Sequence, residues 1–223
     1  MTKLGAITIG QAPRKDVTPI LEDHLPPRVE LVQAGVLDGL TKDYIDAHLL
    51  PDREAYTLTS RLSDGSSIVM GRSKIQPILQ KKIYDMELEG IQNILLLCTG
   101  VFPGLHAKNA YLIEPDHIIP PAVKAMVGGR RLGVIVPLEE QKTSLKPKYE
   151  PHGLYPEFAV ASPYILDPES FQAAANELKD KVDLILLDCM GYTEKARSLV
   201  AEASGLPVIL SNAIMAKIVS EMI

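Results

Sequence analysis

Residues 93–100 read Asn-Ile-Leu-Leu-Leu-Cys-Thr-Gly, and residues 183–191 repeat the pattern as Asp-Leu-Ile-Leu-Leu-Asp-Cys-Met-Gly. A continuous apolar run bounded by turn residues is typical of a strand buried on both faces of a parallel sheet. Each run ends near one of the only two cysteines, Cys98 or Cys189, where parallel sheets bind ligands. The duplication predicts two lobes that contribute one thiol each. Thiols on facing lobes can reach one small molecule from opposite sides, so that one removes a proton and the other returns it without a cofactor.

Both cysteines are followed by a glycine-containing turn, with Gly100 two residues after Cys98 and Gly191 two residues after Cys189. If a helix begins there, backbone N–H groups lower the pKa of the thiol from about 8.5 toward neutrality. The same groups can hold a carboxylate or a developing enolate. The alternative is that each cysteine is a small buried hydrophobic residue, which is the common fate of a free cysteine.

Apolar strand-like runs alternate with helical patterns along the chain, which predicts a parallel α/β fold. In the first half, Thr18, Thr41 and Ser73 are expected at the starts of three helices. The segments 56–61 and 67–70 flank a polar, glycine-containing turn and predict a β-hairpin. The predicted parallel strands of this half cover residues 4–9, 29–34 and the run that ends at Cys98.

The second half repeats this order. Residues 132–137 echo residues 4–9, a further strand is predicted at 158–161, and Asp167 starts a helix that leads to the second cysteine strand. The strand 206–210 and the helix from Asn212 are predicted to cross back to the first lobe. The predicted lobes are therefore residues 1–113 with 205–223, and residues 114–204, with a cleft between them.

Composition excludes several classes of protein. Hydrophobic residues make up 46% of the 223 residues and charged residues 23%, which is typical of a globular chain. A net charge of −5, with basic pairs only at residues 81–82 and 130–131, provides no positive stripe for nucleic acid. No apolar run is long enough to span a membrane, and the run 4–9 is too short for a signal peptide. Two widely separated cysteines indicate free thiols in a reducing cytoplasm.

Chemistry based on metals or cofactors is not expected from the sequence. The five histidines are scattered without a metal-ligand pair at helical spacing, and no nucleotide-binding glycine loop or serine-nucleophile motif is present. A cysteine nucleophile paired with His106 or His117 remains open, because both lie near Cys98 in sequence. We therefore predict no metal and no cofactor.

Residues 98–105, Cys-Thr-Gly-Val-Phe-Pro-Gly-Leu, resemble the first cysteine motif of hydantoin racemases, and Cys-Met-Gly-Tyr at 189–192 resembles the second. The whole chain most resembles the AroM family of the aspartate/glutamate racemase superfamily, through the segments 4–10, 114–121, 133–137, 187–189 and 210–212. The resemblance implies two pseudosymmetric α/β lobes, with two cysteines exchanging a proton beside a carboxylate or carbonyl. Amino-acid racemases have Asn-Thr after the first cysteine, so Thr-Gly here argues against an amino-acid substrate.

The resemblance also implies roles for individual residues. Cys98 and Cys189 would be the paired acid and base. Arg14, after the first strand, would clamp a carboxylate or else be a solvated charge, and Asp188 would face away from the chemistry. The other residues expected near the substrate, several of which could instead cap helices, are Gln11, Arg72, Ser73, Thr99, Gly100, Gly191, Tyr192, Ser211 and Asn212.

Three functions fit the sequence. The first is a cofactor-independent racemase, epimerase or related isomerase that acts on a small carboxylic acid. The second is a two-lobed protein that binds a small anion without catalysis. The third is a decarboxylase or cis–trans isomerase that uses one thiol as a nucleophile. In each case the expected partner is a small-molecule carboxylate, and superfamily analogy together with the apolar final helix allows a homodimer.

Overall fold

The computed structural model describes residues 2–52, 56–165 and 167–223. Within them, the strands are β1 (Thr2–Thr8), β2 (Val29–Gly35), β3 (Thr57–Arg61), β4 (Ser67–Gly71), β5 (Asn93–Leu97), β6 (Tyr111–Ile113), β7 (Leu132–Val136), β8 (Glu157–Val160), β9 (Leu184–Leu187) and β10 (Val208–Leu210). The α-helices are α1 (Thr18–Glu22), α2 (Lys42–His48), α3 (Arg72–Leu88), α4 (Pro115–Val127), α5 (Gln141–Ser144), α6 (Lys146–Tyr149), α7 (Pro168–Leu178), α8 (Glu194–Ser204) and α9 (Ser211–Ser220). None of these helices combines the length and apolar character needed to cross a membrane.

Two four-stranded parallel sheets form the framework, in the orders β2-β1-β5-β6 and β10-β9-β7-β8. The first strand of each half pairs with the cysteine strand of the same half, with Leu4 opposite Asn93 and Leu132 opposite Leu184. This equivalence confirms the α/β fold with two similar sheets. Cys98 and Cys189 each follow the carboxyl end of a central strand.

The apolar runs are buried on both faces, as their composition predicts. In β5, Ile94 and Leu96 pack into one hydrophobic core, whereas Leu95 and Leu97 pack into another. Successive side chains of a strand point to opposite faces, so an unbroken apolar run is needed where both faces are covered. In β9, Leu186 likewise packs into one core, whereas Ile185 and Leu187 on either side of it pack into another.

The hairpin β3–β4 is confirmed as an antiparallel pair. Two predicted helix caps are also confirmed, because Thr41 accepts the N–H of Tyr44 and Asp167 accepts the N–H of Glu169. The caps predicted at Thr18 and Ser73 are wrong, because Thr18 is itself the first residue of α1, and α3 begins at Arg72, directly after the last hairpin strand.

Residues 111–149 contain elements that the sequence pattern did not reveal. They form β6, α4, α5 and α6. Helix α4 contains Pro120 and Pro121, which lack the N–H that an interior helix position normally donates. Because of these prolines, the sequence pattern did not predict the helix. The helix expected directly after Cys98 is also absent, because residues 98–110 contain only turns, bends and irregular backbone.

The end of the chain joins both halves. Strand β10 pairs with β9, so it belongs to the second sheet and not to the first lobe, where the predicted boundaries put residues 205–223. Helix α9 then packs against α1 and α4. Its residues Met215 and Val219 share one buried core with Leu4 of β1 and Val134 of β7.

Candidate functional site

Both cysteines line one small cavity between the two sheets. Gly100 N–H donates to Cys98 Sγ at 3.3 Å, and Gly191 N–H donates to Cys189 Sγ at 3.4 Å. The two halves thus repeat the same thiol-holding turn. Thr99 and Gly100 also line the cavity.

Gly100 and Gly191 have no Cβ, so a side chain from another part of the chain can lie close to each turn. A Cβ on Gly100 would lie 2.6 Å from Leu58 Cδ2, and a Cβ on Gly191 would lie 2.9 Å from Tyr164 Cε1. Both distances are shorter than van der Waals contact. Leu58 and Tyr164 therefore cover equivalent positions beside the two cysteines.

Burial keeps both thiols neutral in this closed form. It raises the pKa of Cys98 to about 12, which outweighs the lowering by the Gly100 N–H. Burial also raises the pKa of Cys189, against opposing contributions from the Gly191 N–H, the Tyr164 hydroxyl and Arg14. The lowered thiol pKa expected from the sequence is wrong, because the loss of water around the buried sulfur atoms raises the pKa by more than the N–H donors lower it.

Cys189 has more groups that favour a thiolate than Cys98 has. The Tyr164 hydroxyl lies 3.6 Å from Cys189 Sγ, in addition to the Gly191 N–H. The guanidinium of Arg14 lies 5.8 Å from the centre of the Tyr164 ring. The surroundings of the two thiols are therefore unequal, and Cys189 is better placed to hold a negative charge.

A buried ion pair ties the two cysteine turns together. Lys148 Nζ lies 2.9 and 2.7 Å from the Asp188 carboxylate oxygens and also donates to the Thr99 carbonyl at 2.9 Å. The Tyr149 hydroxyl donates to the same carboxylate at 2.6 Å. The side chains of Lys148 and Asp188 are 1% and 0% exposed. Asp188 also lines the cysteine cavity, so it lies closer to the site than the strand alternation predicted.

The hairpin β3–β4 covers the cavity. Leu58, Thr59 and Ser60 line its wall, and Gln141 of the second half donates to the Thr57 carbonyl at 3.3 Å. The cavity has a volume of about 20 Å³, which is room for roughly one water molecule. A larger ligand needs part of the cavity lining to move, and the hairpin supplies three of the lining residues.

Arg14 is buried, at 3% exposure, and not the solvated charge of the alternative expectation. Its Nε and Nη2 bind the two Asp16 oxygens at 2.8 Å each. Its Nη1 donates to Thr8 and to the hydroxyl of Ser60, which lines the cavity. Gln11 supports the hairpin instead, because its side-chain oxygen accepts the Ser63 N–H.

Five other predicted residues are outside the lining of the cavity. Ser211 donates to the Leu187 carbonyl, and Asn212 donates to the Met190 and Tyr192 carbonyls, so both brace the Cys189 turn from behind. The Tyr192 hydroxyl donates to the Ala161 carbonyl. Arg72 donates to the Val101 carbonyl and stacks on Tyr56, and Ser73 is exposed.

Sequence reasoning missed Lys148 and Tyr164. Neither lies in a motif, and each acquires its role from a partner far along the chain, Asp188 or Cys189. The nearest sequence signal was Asp188 itself, because a carboxylate at the end of an apolar strand needs a partner when it is buried.

Among the residues that the structure describes, one group could hold a metal ion. Glu114, Asp116 and His117 each offer a ligand atom, and these atoms lie within 4.8 Å of one another. These three residues are outside the lining of the cysteine cavity. The other histidine considered as a partner for Cys98, His106, is also outside that lining and packs against Tyr84.

Among the solved structures that share this fold are two racemases and one isomerase. The aspartate racemase of Picrophilus torridus has 13% identity and a TM-score of 0.66, and the match covers 100% of this chain and 94% of that one. Allantoin racemase from Klebsiella pneumoniae has 13% identity and a TM-score of 0.63, covering 100% and 87%. The maleate isomerase Iso from Pseudomonas putida S16 has 12% identity and a TM-score of 0.64, covering 96% and 90%.

These likenesses show that the chain has the same fold as these racemases and this isomerase. No curated protein matches the chain in sequence. The family model described as AroM protein matches residues 4–223, which is nearly the whole chain. The chain belongs to the AroM protein family.

Proposed function

We propose that this protein is a cofactor-independent racemase, epimerase or related isomerase that acts on a small carboxylic acid. The observation that carries the proposal is the position of Cys98 and Cys189 on one cavity, each at the end of an equivalent strand and each bonded by an equivalent glycine N–H. The racemase and isomerase names of the structural neighbours agree with this class of reaction.

In the proposed reaction, the Cys189 thiolate removes the proton from the carbon beside the carboxylate. The electron pair of that C–H bond moves into the carboxylate or carbonyl and gives an enolate. The Cys98 thiol then donates its proton to the opposite face of the same carbon, and becomes the thiolate. Cys189 is assigned the first step because the Tyr164 hydroxyl and the Gly191 N–H both lie beside its sulfur.

Ser60 is the proposed contact for the substrate carboxylate. Its hydroxyl oxygen accepts a hydrogen bond from Arg14 Nη1 at 3.3 Å, while the residue lines the cavity. The hydroxyl proton is thereby free to point at an anion, and the buried guanidinium polarises it. Arg14 itself stays paired with Asp16 and acts through Ser60.

Substrate entry requires the hairpin to open, since the closed cavity holds about one water molecule. Opening also admits water to the sulfur atoms and removes part of the burial that raises their pKa. Closure then excludes water from the reacting carbon. We propose that this cycle takes place in the cytoplasm, where both thiols remain reduced.

The test is deuterium exchange from D₂O into a panel of small carboxylic acids, followed by mass spectrometry. We expect exchange beside the carboxylate of at least one acid, and a loss of about 10²-fold or more in Cys98→Ala and in Cys189→Ala. Ser198→Ala is the control, because Ser198 is exposed on α8 and does not line the cavity. Site-resolved alkylation across pH should show Cys189 reacting at lower pH than Cys98. Unimpaired exchange in both cysteine variants would refute the acid/base pair.

The raised pKa of both thiols favours one alternative, which is a protein that binds a small anion without catalysis. A Cys98→Ser/Cys189→Ser variant then binds the same acid as the wild type, and neither protein catalyses exchange. If only one cysteine proves essential and a covalent adduct is trapped, the single-thiol decarboxylase or cis–trans isomerase is supported instead.

A further inference from the structure

A second and larger cavity lies beside the cysteine cavity, and Tyr56 lines both. Its volume is about 450 Å³. Asp116, His117, Ser144 and Lys148 are among its lining residues. The proposed reaction uses none of the first three, so this cavity needs its own explanation.

Two polar atoms in this cavity lack a partner. Asp116 Oδ1 and Ser144 Oγ are buried and have no hydrogen-bond partner among the residues that the structure describes. Asp116 as a whole is only 7% exposed. A buried carboxylate oxygen without a partner is costly, so its retention indicates a ligand that the carboxylate meets in the functional protein.

The neighbours of Asp116 supply further ligand atoms. His117 Nε2 lies 3.8 Å from Asp116 Oδ2, and His117 Nδ1 lies 3.7 Å from Glu114 Oε1. One ligand atom from each of the three residues lies within 4.8 Å of the others. Ligand atoms around tetrahedral zinc are about 3.3 Å apart, so the group must contract by up to roughly 1.5 Å. His117 is 70% exposed and free to rotate that far.

We propose that Glu114, Asp116 and His117 bind one divalent transition-metal ion, with zinc as the best fit. One imidazole nitrogen and two carboxylate oxygens are ligands that zinc accepts, and three protein ligands leave a fourth position open. Asp116 and His117 both line the larger cavity, so a fourth ligand could reach the ion from there. The site departs from the expectation of no metal, and it does not depend on the reaction proposed for the cysteines.

The local charges support a cation here. Glu114 and Asp116 carry two negative charges in a partly buried place. The lysine and arginine that line the same cavity have other partners: Lys148 pairs with Asp188, and Arg72 donates to the Val101 carbonyl and stacks on Tyr56. The start of α4 contributes a positive partial charge of about half a unit, which is smaller than the two carboxylate charges together. An ion of charge +2 therefore improves the balance at this end of the helix.

The experiment measures zinc binding by equilibrium dialysis and metal analysis on the full-length, metal-stripped chain. A Cys98→Ser/Cys189→Ser background removes the thiols as competing ligands. We expect one zinc ion per chain, and a loss of affinity of about tenfold or more with Asp116→Asn and with His117→Ala. His152→Ala is the matched control, because His152 lines the same cavity outside the proposed ligand set.

Cobalt(II) absorption then identifies the ligands: weak visible bands without a thiolate charge-transfer band are expected. Circular dichroism confirms that each variant is folded, and the exposed position of His117 makes His117→Ala the more secure one. The proposal is overturned if the background protein binds no stoichiometric zinc at about 100 μM, a concentration well above the dissociation constants of structural zinc sites. It is also overturned if His152→Ala weakens binding as much as His117→Ala, or if both ligand variants bind as well as their background.

Discussion

Replacing Lys148 with Met should destabilise the protein strongly, and the cost can be worked from its contacts. The substitution removes three donated hydrogen bonds and leaves the Asp188 carboxylate, at 0% exposure, with the Tyr149 hydroxyl as its remaining side-chain donor. Breaking a buried ion pair from one side costs about 3–5 kcal/mol, because the other charge stays desolvated. Small domains have about 5–15 kcal/mol of stability in total, so the loss is a large share of it.

Urea unfolding at pH 7, followed by circular dichroism, measures this effect. The matched control is Lys81→Met, whose surface pair with Asp85 is worth about 1 kcal/mol or less. The decisive comparison adds Asp188→Asn, which should make Lys148→Met more stable by removing the unpaired charge. If Lys148→Met loses less than about 1 kcal/mol, or if the second substitution destabilises it further, the reasoning from an uncompensated buried charge is refuted.

Two further predictions concern the thiol and the hairpin. Burial raises the pKa of Cys98 from 9.0 to about 12, so this thiol loses its proton at a lower pH in the unfolded chain than in the folded protein. The stability that the buried neutral thiol contributes is therefore fully present below pH 9 and is lost as the pH rises toward 12. Urea midpoints at pH 8 to 11 should therefore fall more steeply for wild type than for Cys98→Ala, and parallel curves would contradict this. In Gly10→Ala the new Cβ would lie 2.3 Å from the Arg61 carbonyl, so the hairpin must shift, at a cost of about 1–3 kcal/mol, and both cysteines should alkylate faster. Gly129→Ala, with open space around it, is the control, and equal effects of the two substitutions would count against the packing argument.

The features that the sequence predicted are those that depend on local pattern. The apolar runs of β5 and β9, the hairpin, and the caps Thr41 and Asp167 each follow from a few adjacent residues. Helix α4 was missed because packing overrides the prolines that normally end a helix. Packing of this kind cannot be judged from adjacent residues.

The residues of the candidate site divide in the same way, into those that adjacent residues predict and those that depend on a distant partner. Cys98, Cys189, Thr99 and Gly100 were identified from a repeated motif, and all four line the cavity. Lys148 was missed because its partner lies 40 positions away. The pKa of the thiols was predicted wrongly for the same reason. The backbone donors lie two residues after each cysteine, whereas burial of the sulfur atoms depends on residues far along the chain.

The position of α9 has a consequence for how the protein is made. The N-terminal strand leaves the ribosome long before Met215 and Val219, yet these residues share its core. Until they arrive, Leu4 and Leu21 lack part of their apolar cover, so the nascent first half cannot reach its final packing. Contacts between such distant parts of a chain also slow folding, because a long loop must close before they form. Ribosome stalling before α9 should therefore leave a chain that depends on chaperones and is readily cut by proteases.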